Sequence, residues 1–182
     1  NLIMKRLILA VMAITLMAAP MANAQKVNKA AIVAKLDKAD ADSKDAKKSG
    51  KAATWIARGN AYYEAVSAPV ASLFVGMEEA MITLTLGKAE AQNANVQLNG
   101  KVFTEHVYPW VKIYTADGKV ATWIVTQTVK EGDLAGEAVA SFKKAYELDA
   151  KLASKVADGL SKVENYYSTM GNVCLDAGLA AQ

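Results

Sequence analysis

Cysteine and histidine are almost absent from this sequence, and their scarcity excludes several kinds of site. Cys174 is the only cysteine and His106 is the only histidine, so an internal disulfide cannot form and the ligand spacings of zinc sites are missing. Gly132 and Gly136 are not followed by the Lys-Ser or Lys-Thr of a phosphate-binding loop. We therefore expect no metal and no cofactor.

An excess of charge of one sign is also missing. The chain has 21 Lys and Arg against 18 Asp and Glu, a formal net charge of +3. Nucleic-acid-binding proteins usually cluster basic residues on one face, so we expect no nucleic-acid partner. Apolar residues make up 53% of the 182 positions, which is enough for one folded domain with a core.

The amino-terminal segment has the three parts of a secretory signal. Residues 4–6 (Met-Lys-Arg) are basic, residues 7–19 are mostly apolar, and residues 22–24 (Ala-Asn-Ala) supply small side chains. The apolar run is too short to cross roughly 30 Å of hydrocarbon. We expect a signal peptide over residues 1–24, cleavage after Ala24, and a mature chain without a transmembrane span. Its expected location is the periplasm or the outer envelope of a Gram-negative cell.

Hydrophobic periodicity predicts mainly helices after the signal. Residues 25–50 form a charged, helical amino-terminal segment, and stronger helices are predicted over 51–66, 134–148 and 150–175. Pro69 marks another helix start, and a stripe of apolar residues predicts a continuous helix over 70–86 that ends at Gly87. The stripe comprises Val70, Leu73, Phe74, Met77, Met81 and Leu84.

Between these helices the composition changes to that of strands. Residues 107–115 and 120–129 are rich in β-branched and aromatic side chains, and Asp117-Gly118 lies between them. This pattern predicts a β-hairpin with its turn at residues 116–119, and Asn99-Gly100 is a further turn signal. We expect one hairpin face to pack on the helices and the other, with Trp110, Tyr114 and Trp123, to be exposed.

Three stretches resemble the tetratricopeptide repeat, which pairs two helices in 34 residues. In residues 55–63 the bulky and small positions hold Trp55, Gly59 and Tyr62, although Arg58 replaces the usual leucine. The second-helix pattern follows only at Ala138, Phe142 and Ala145, and a second repeat starts near residue 164 with Tyr167, Met170, Gly171 and Cys174.

The resemblance implies a mainly α fold of antiparallel helix pairs, an α-solenoid, with an inserted helix and β-hairpin. The repeat domain would span residues 51–182, with the insert at about residues 67–131 and a second repeat that is cut short, so we expect a fragment. The arrangement is similar to exported repeat proteins of Bacteroidetes-type bacteria. It implies that the first helices line a binding groove with Asn60, Tyr63, Glu64 and Asn172.

Three functions remain open at this point. The first is a non-enzymatic protein-binding or scaffolding role in the cell envelope, with a protein partner. The second is a glycan or small-ligand binding module that uses the aromatic hairpin, because aromatic side chains are enriched at interfaces. An enzyme is the third, but the sequence offers only His106 and Cys174 as single-copy candidates, and no motif surrounds either of them.

Overall fold

The computed structural model describes residues 27–178, which form five α-helices, two short 3-10 helices and a four-stranded sheet. The signal peptide and cleavage site predicted over residues 1–24 lie outside the described residues. The α-helices are α1 (Lys29–Lys44), α2 (Ala52–Ser67), α3 (Glu79–Leu86), α4 (Leu134–Leu148) and α5 (Ala153–Asp176), and the 3-10 helices are Ala68–Val70 and Ala150–Leu152.

Helices α1, α2, α4 and the first part of α5 surround one hydrophobic core. Two of them begin at a side chain that caps the first turn: Asn28 Oδ1 accepts from Ala31 N at 3.1 Å, and Asp133 Oδ1 accepts from Gly136 N at 2.7 Å. Small buried side chains line the contact between α2 and α4, which lets the two helices approach closely. These side chains are Ala61, Ala65, Ala138 and Ala145.

Phe142 of α4 fills the narrowest point of this helical core. A Cβ added to Gly59 of α2 would lie 2.7 Å from its ring, and one added to Gly159 of α5 would lie 2.4 Å away. Both distances are below normal van der Waals contact. The ring of Phe142 therefore fits here because α2 and α5 each place a glycine beside it.

The sheet is an antiparallel meander in chain order. Its strands are β1 (Ala91–Leu98), β2 (Lys101–Val107), β3 (Val111–Ala116) and β4 (Lys119–Val125). Asn99-Gly100 and Asp117-Gly118 form the two tight turns, and all four residues have positive φ, as the turns that match strand twist require. The predicted hairpin is confirmed, with Ala116 paired to Lys119 and Ile113 paired to Trp123.

Two connections attach the sheet to the helices. Residues 76–78 run beside the start of β4, where Gly76 N donates to Val120 O at 2.7 Å and Val120 N donates to Met77 O at 2.8 Å. On α5, Val173 O accepts a 2.6 Å hydrogen bond from Thr122 Oγ1, which is fully buried. A second hydrophobic core therefore lies between the sheet, the segment before α3 and the last turns of α5.

The prediction of a mainly α, tetratricopeptide-like solenoid is wrong. A second hydrophobic core, separate from that of the helices, is built on a four-stranded antiparallel sheet, and the predicted hairpin forms only the second half of that sheet. Strand β1 gives no strong signal because it is rich in Asn and Ala, which are depleted in strands. Strand β2 has the β-branched and aromatic residues of a strand but was not predicted. The residues predicted to open a second repeat lie inside the uninterrupted helix α5, and Val173 there packs on the sheet.

The helix predicted over residues 70–86 is also wrong in its first half. Gly76 has φ +88°, and the backbone on either side of it bonds to β4 instead of continuing a helical ladder. The apolar stripe is divided accordingly. Leu73 and Met77 are buried against the sheet, whereas Met81 and Leu84 are 45% and 64% exposed.

Within residues 27–178, every helix is too short or too polar to cross a lipid bilayer.

Candidate functional site

A cleft of about 410 Å³ lies where the helical layer meets the sheet, and we call it the interlayer cleft. Its size falls within the usual range for small-molecule sites. One wall is the 3-10 turn after α2, the second is the chain between α3 and β1, and the third is the β2–β3 loop. The lining residues are Val27, Ala68, Pro69, Ser72, Leu86, Lys88, Glu90, Tyr108, Pro109, Trp110 and Val111.

Hydrogen bonds on both sides fix the β2–β3 loop in place. Tyr108 Oη donates to Gly87 O at 2.9 Å, and burial raises the pKa of this phenol, so it remains a neutral donor. Gln127 Nε2 donates to Pro109 O at 2.7 Å, and Thr126 N donates to Trp110 O at 2.9 Å. The cleft is thus formed before any ligand arrives.

The lining of the interlayer cleft combines an apolar floor with charges of both signs. Trp110 is half-buried and packs on the helical core, whereas Tyr108 and Val111 belong to the core of the sheet. Lys88 and Glu90 are exposed at the rim. In the described part of the chain neither side chain has an ion-pair partner, so both are available to a ligand.

Arg58 is the centre of a largely buried polar cluster in the helical layer. Its guanidinium donates to Asp40 at 2.9 Å, to Ser141 Oγ at 2.7 Å and to Glu137 at 2.7 Å. Burial acts to raise the pKa of Asp40, but hydrogen bonds from Tyr62 and Arg58 outweigh it and lower that pKa. The cluster joins α1, α2 and α4 through a fully ionised carboxylate.

A second cluster is built around Glu105 on the sheet. Tyr114 Oη donates to Glu105 at 2.7 Å, Asn93 Nδ2 donates at 2.9 Å, and Lys112 Nζ lies 3.5 Å away. The hydrogen bond from Tyr114 is the largest influence, and it lowers the pKa of Glu105. Burial, together with the hydrogen bond to Glu105, raises the pKa of Tyr114 well above its usual value.

His106 is buried against α3. Its Nε2 lies 3.1 Å from Thr115 Oγ1 and 3.4 Å from Glu79, and Thr115 Oγ1 in turn donates to Glu79 at 3.2 Å. These partners hold the imidazole, and Cys174 is not among its polar contacts. Across residues 27–178, no three His, Cys, Asp or Glu side chains are grouped so that they could hold a metal ion.

The three aromatic residues of the predicted exposed hairpin face have different environments. Trp110 is half-buried and lines the interlayer cleft. Tyr114 and Trp123 are only 3% and 1% exposed, so the prediction that they form an exposed platform is wrong. The physical reason is that neighbouring residues of β3 and β4 are buried on both faces of the sheet, whereas the prediction assumed one open face.

The candidate groove residues of the helices are not gathered into one groove. Asn60 and Glu64 are exposed on α2, and Glu64 forms an ion pair with Lys35 of α1. Asn172 is exposed on α5. Only Tyr63, which is half-buried, lies beside another predicted residue, since it and Trp123 line a shared pocket where α2 meets β4 and α5.

The sequence did not point to most residues of the interlayer cleft. Lys88 and Glu90 lie in a short connection that carries no motif, and Ser72 lies in a segment predicted to be helix.

The Arg58 cluster, by contrast, could have been found from the sequence, because Arg58 stands where the repeat pattern has leucine. A charge at a position of core spacing indicates a buried partner, and the partner is Asp40.

No family model matches the chain, and neither a curated protein nor a solved structure matches it significantly.

Proposed function

We propose that this protein is a non-enzymatic binding protein that holds a small organic ligand in the interlayer cleft. The observation that carries the proposal is the cleft itself, whose walls are fixed by hydrogen bonds and whose lining joins Trp110 and Tyr108 to the charged pair Lys88 and Glu90. Such a lining suits a ligand with one flat apolar part and polar or charged ends. Small-ligand sites commonly have this composition.

The titratable clusters support binding rather than catalysis. A general acid or base works best with a pKa near the operating pH. In this chain the pKa values of Asp40 and Glu105 are lowered and that of Tyr114 is raised, so all three move away from neutrality. Each of these groups also has its hydrogen bonds satisfied by neighbouring side chains, as structural groups do.

Thermal-shift measurements with a library of small aromatic acids, amines and zwitterions test the proposal. A ligand at about one hundred times its Kd adds about 2.7 kcal/mol, which raises the melting temperature of a domain of this size by roughly 5–10 °C. We expect this rise in the wild type and its loss in Trp110→Ala. Trp55→Ala is the matched control, because Trp55 is half-buried on α2, outside the cleft.

Two results of the thermal-shift measurements would contradict the proposal. If every compound that stabilises the wild type stabilises Trp110→Ala by the same amount, the ligand does not occupy the interlayer cleft. If no compound stabilises the wild type at all, small-ligand binding in this cleft is wrong.

Recruitment of a protein partner in the cell envelope is the second candidate function. Several large apolar side chains between the 3-10 turn and the end of α3 are exposed, with relative exposures from 45% to 64%, and exposed apolar patches mark interaction sites. Met81 and Leu84 share one face of α3 because they are three residues apart. The exposed side chains are Phe74, Val75, Met81 and Leu84.

Cross-linking in the native envelope tests this second function. The double variant Met81→Ser and Leu84→Ser should lose a partner that the wild type captures. Leu175→Ser is the control, since Leu175 is equally exposed at 64% but lies at the end of α5. Capture that is unchanged by the α3 variants would rule out this surface.

We also propose export, on the basis of the signal-like segment at residues 1–24. The chain recovered from the periplasmic fraction should begin at Gln25. Recovery of a chain that keeps residues 4–24 in the cytoplasmic fraction alone would contradict export.

A further inference from the structure

The indole Nε1–H of Trp123 is a buried donor with no hydrogen-bond partner in the described structure. Trp123 is 1% exposed, and it packs in the core between the sheet and α5. A buried donor without an acceptor is uncommon, because it loses its water and gains nothing in return. The arrangement therefore lacks an acceptor oxygen close to Trp123.

Trp123 also lines a pocket of about 180 Å³, which we call the junction pocket because α2, the following 3-10 turn, β4 and α5 meet there. This volume corresponds to roughly six water molecules in the liquid. The other lining residues are Tyr63, Ser67, Val70, Ala71, Leu73, Asn165, Tyr166, Thr169 and Met170.

The chemistry of the junction pocket is polar but uncharged. Asn165 and Thr169 are four residues apart on α5, so their side chains share one face, and both are exposed. Within residues 27–178 neither side chain forms a hydrogen bond to another protein group. Together they offer amide and hydroxyl groups that can both donate and accept, and no Asp, Glu, Lys or Arg lines the pocket.

Aromatic rings supply the remaining walls. Tyr63 of α2 and Tyr166 of α5 are both half-buried, so part of each ring is accessible. Flat apolar rings beside neutral hydrogen-bonding groups are complementary to a molecule with an apolar ring face and a rim of hydroxyls. A neutral sugar has this form, whereas a charged ligand would find no counter-ion in the lining.

We propose that the junction pocket binds a neutral sugar residue, with one sugar oxygen accepting the hydrogen bond from Trp123 Nε1. Met170 lines the same pocket and is half-buried. Because Trp123 Nε1 is fully buried, the proposal requires a side-chain movement that exposes this atom to the pocket, and the unbranched side chain of Met170 can change rotamer readily. This site is separate from the interlayer cleft, and the proposal does not depend on the function proposed for that cleft.

Nuclear magnetic resonance of the ¹⁵N-labelled full chain provides the test, because its three tryptophans give three indole N–H signals. Trp123→Phe assigns the signal of Trp123. The probes are the methyl glycosides of glucose, galactose, mannose and N-acetylglucosamine, with glucuronic acid as the charged counterpart. We expect a saturable shift of the Trp123 signal with at least one neutral glycoside, none with glucuronic acid, and no shift for Trp55 or Trp110.

Variants of exposed residues keep the test independent of core folding. Asn165→Ala should weaken binding roughly fivefold, the loss expected when one neutral hydrogen bond is removed. Asn172→Ala is the matched control on the same helix, because Asn172 is exposed but does not line the pocket. It should bind as the wild type does.

Three results would overturn the proposal. One is a Trp123 signal that no neutral glycoside moves. Another is a shift of equal size and concentration dependence in wild type and Asn165→Ala. The third is a long-lived water in contact with Trp123 Nε1–H that remains when the glycosides are added, because the donor would then already be satisfied.

Discussion

The ring of Phe142 is held between two glycines, and adding one methyl group to either should destabilise the helical core. A Cβ at Gly159 would lie 2.4 Å from two ring carbons of Phe142, and one at Gly59 would lie 2.7 Å from the nearest. Phe142 is 1% exposed, so its ring cannot move into solvent. The same three ring carbons approach both glycines, so one of the helices must move.

Two opposing contributions determine how much Gly159→Ala changes the free energy of unfolding. Overpacking a well-filled core by one methyl group costs about 1–3 kcal/mol. Replacing glycine by alanine within a helix recovers about 0.5–1 kcal/mol, because the unfolded chain loses less freedom on folding. Because the contact at Gly159 would be as short as 2.4 Å, the overpacking cost lies in the upper part of this range. We therefore expect Gly159→Ala to lower the free energy of unfolding by about 1–2 kcal/mol, which corresponds to roughly 2–8 °C in melting temperature. Gly59→Ala should act in the same direction.

Gly171→Ala provides the matched control. Gly171 lies in the same helix as Gly159, but an added Cβ there meets no atom within 4 Å. Only the conformational term remains, so this variant should be more stable than the wild type by about 0.4–1 kcal/mol. Urea unfolding followed by circular dichroism measures all three variants, and an unchanged slope with urea shows that only stability has changed.

A double-mutant cycle tests the cause directly. Phe142→Leu removes the ring, so Gly159→Ala should cost less in that background than in the wild type. If Gly59→Ala and Gly159→Ala both stabilise the protein as Gly171→Ala does, the helices do not approach as closely as described. A cost that is independent of Phe142 would locate the clash elsewhere.

Three further predictions concern the polar groups and turns. The pKa of Asp40 in the folded protein is lowered from 3.8, so the stability that its carboxylate contributes is present above that pH and is lost as pH falls through the folded pKa. Asp40→Asn should therefore lower the free energy of unfolding by about 1–3 kcal/mol at pH 7. Chemical denaturation over pH 2–7 should show the difference between wild type and variant disappearing in acid, and Asp37→Asn, at an exposed position, is the control. Thr122→Val should cost about 1–2 kcal/mol in urea unfolding, because it removes the buried hydrogen bond to Val173 O, and an unchanged midpoint would mean that this bond adds nothing. Asp117→Val should cost about 1–2 kcal/mol because φ is +51° there, whereas Asp117→Gly should not, and equal midpoints for the two variants would contradict the turn geometry.

The sequence predicted those helices and turns that are stabilised by interactions between residues close together in the chain. Asp117-Gly118 lies between two β-rich runs, so the β3–β4 hairpin was predicted with its turn in place. The helices α2, α4 and α5 followed from apolar periodicity, and α5 begins within three residues of its predicted start. In these elements the backbone donor and acceptor of each hydrogen bond are close together in the sequence, so a short stretch of residues is enough to predict the structure.

The interlayer cleft could not be predicted, because the residues that line it are far apart in the sequence. Its walls come from four separate parts of the chain, and Trp110 is the only lining residue that the sequence predicts as a candidate. Lys88 and Glu90 become functional candidates because the paths of α3 and β1 bring them to the rim. Nothing in their local sequence distinguishes them from other surface charges.

The sequence by itself determined where most helices and the central turns occur, because capping, periodicity and positive φ act over a few residues. Only the tertiary structure decided that residues 70–86 would not be one helix. Their apolar spacing suits a helix, but the backbone amides of Gly76 and Val120 gain strand hydrogen bonds across more than 40 residues. Tertiary packing also decided that Trp123 is buried, since a strand's alternation does not reveal whether one face or both will be covered.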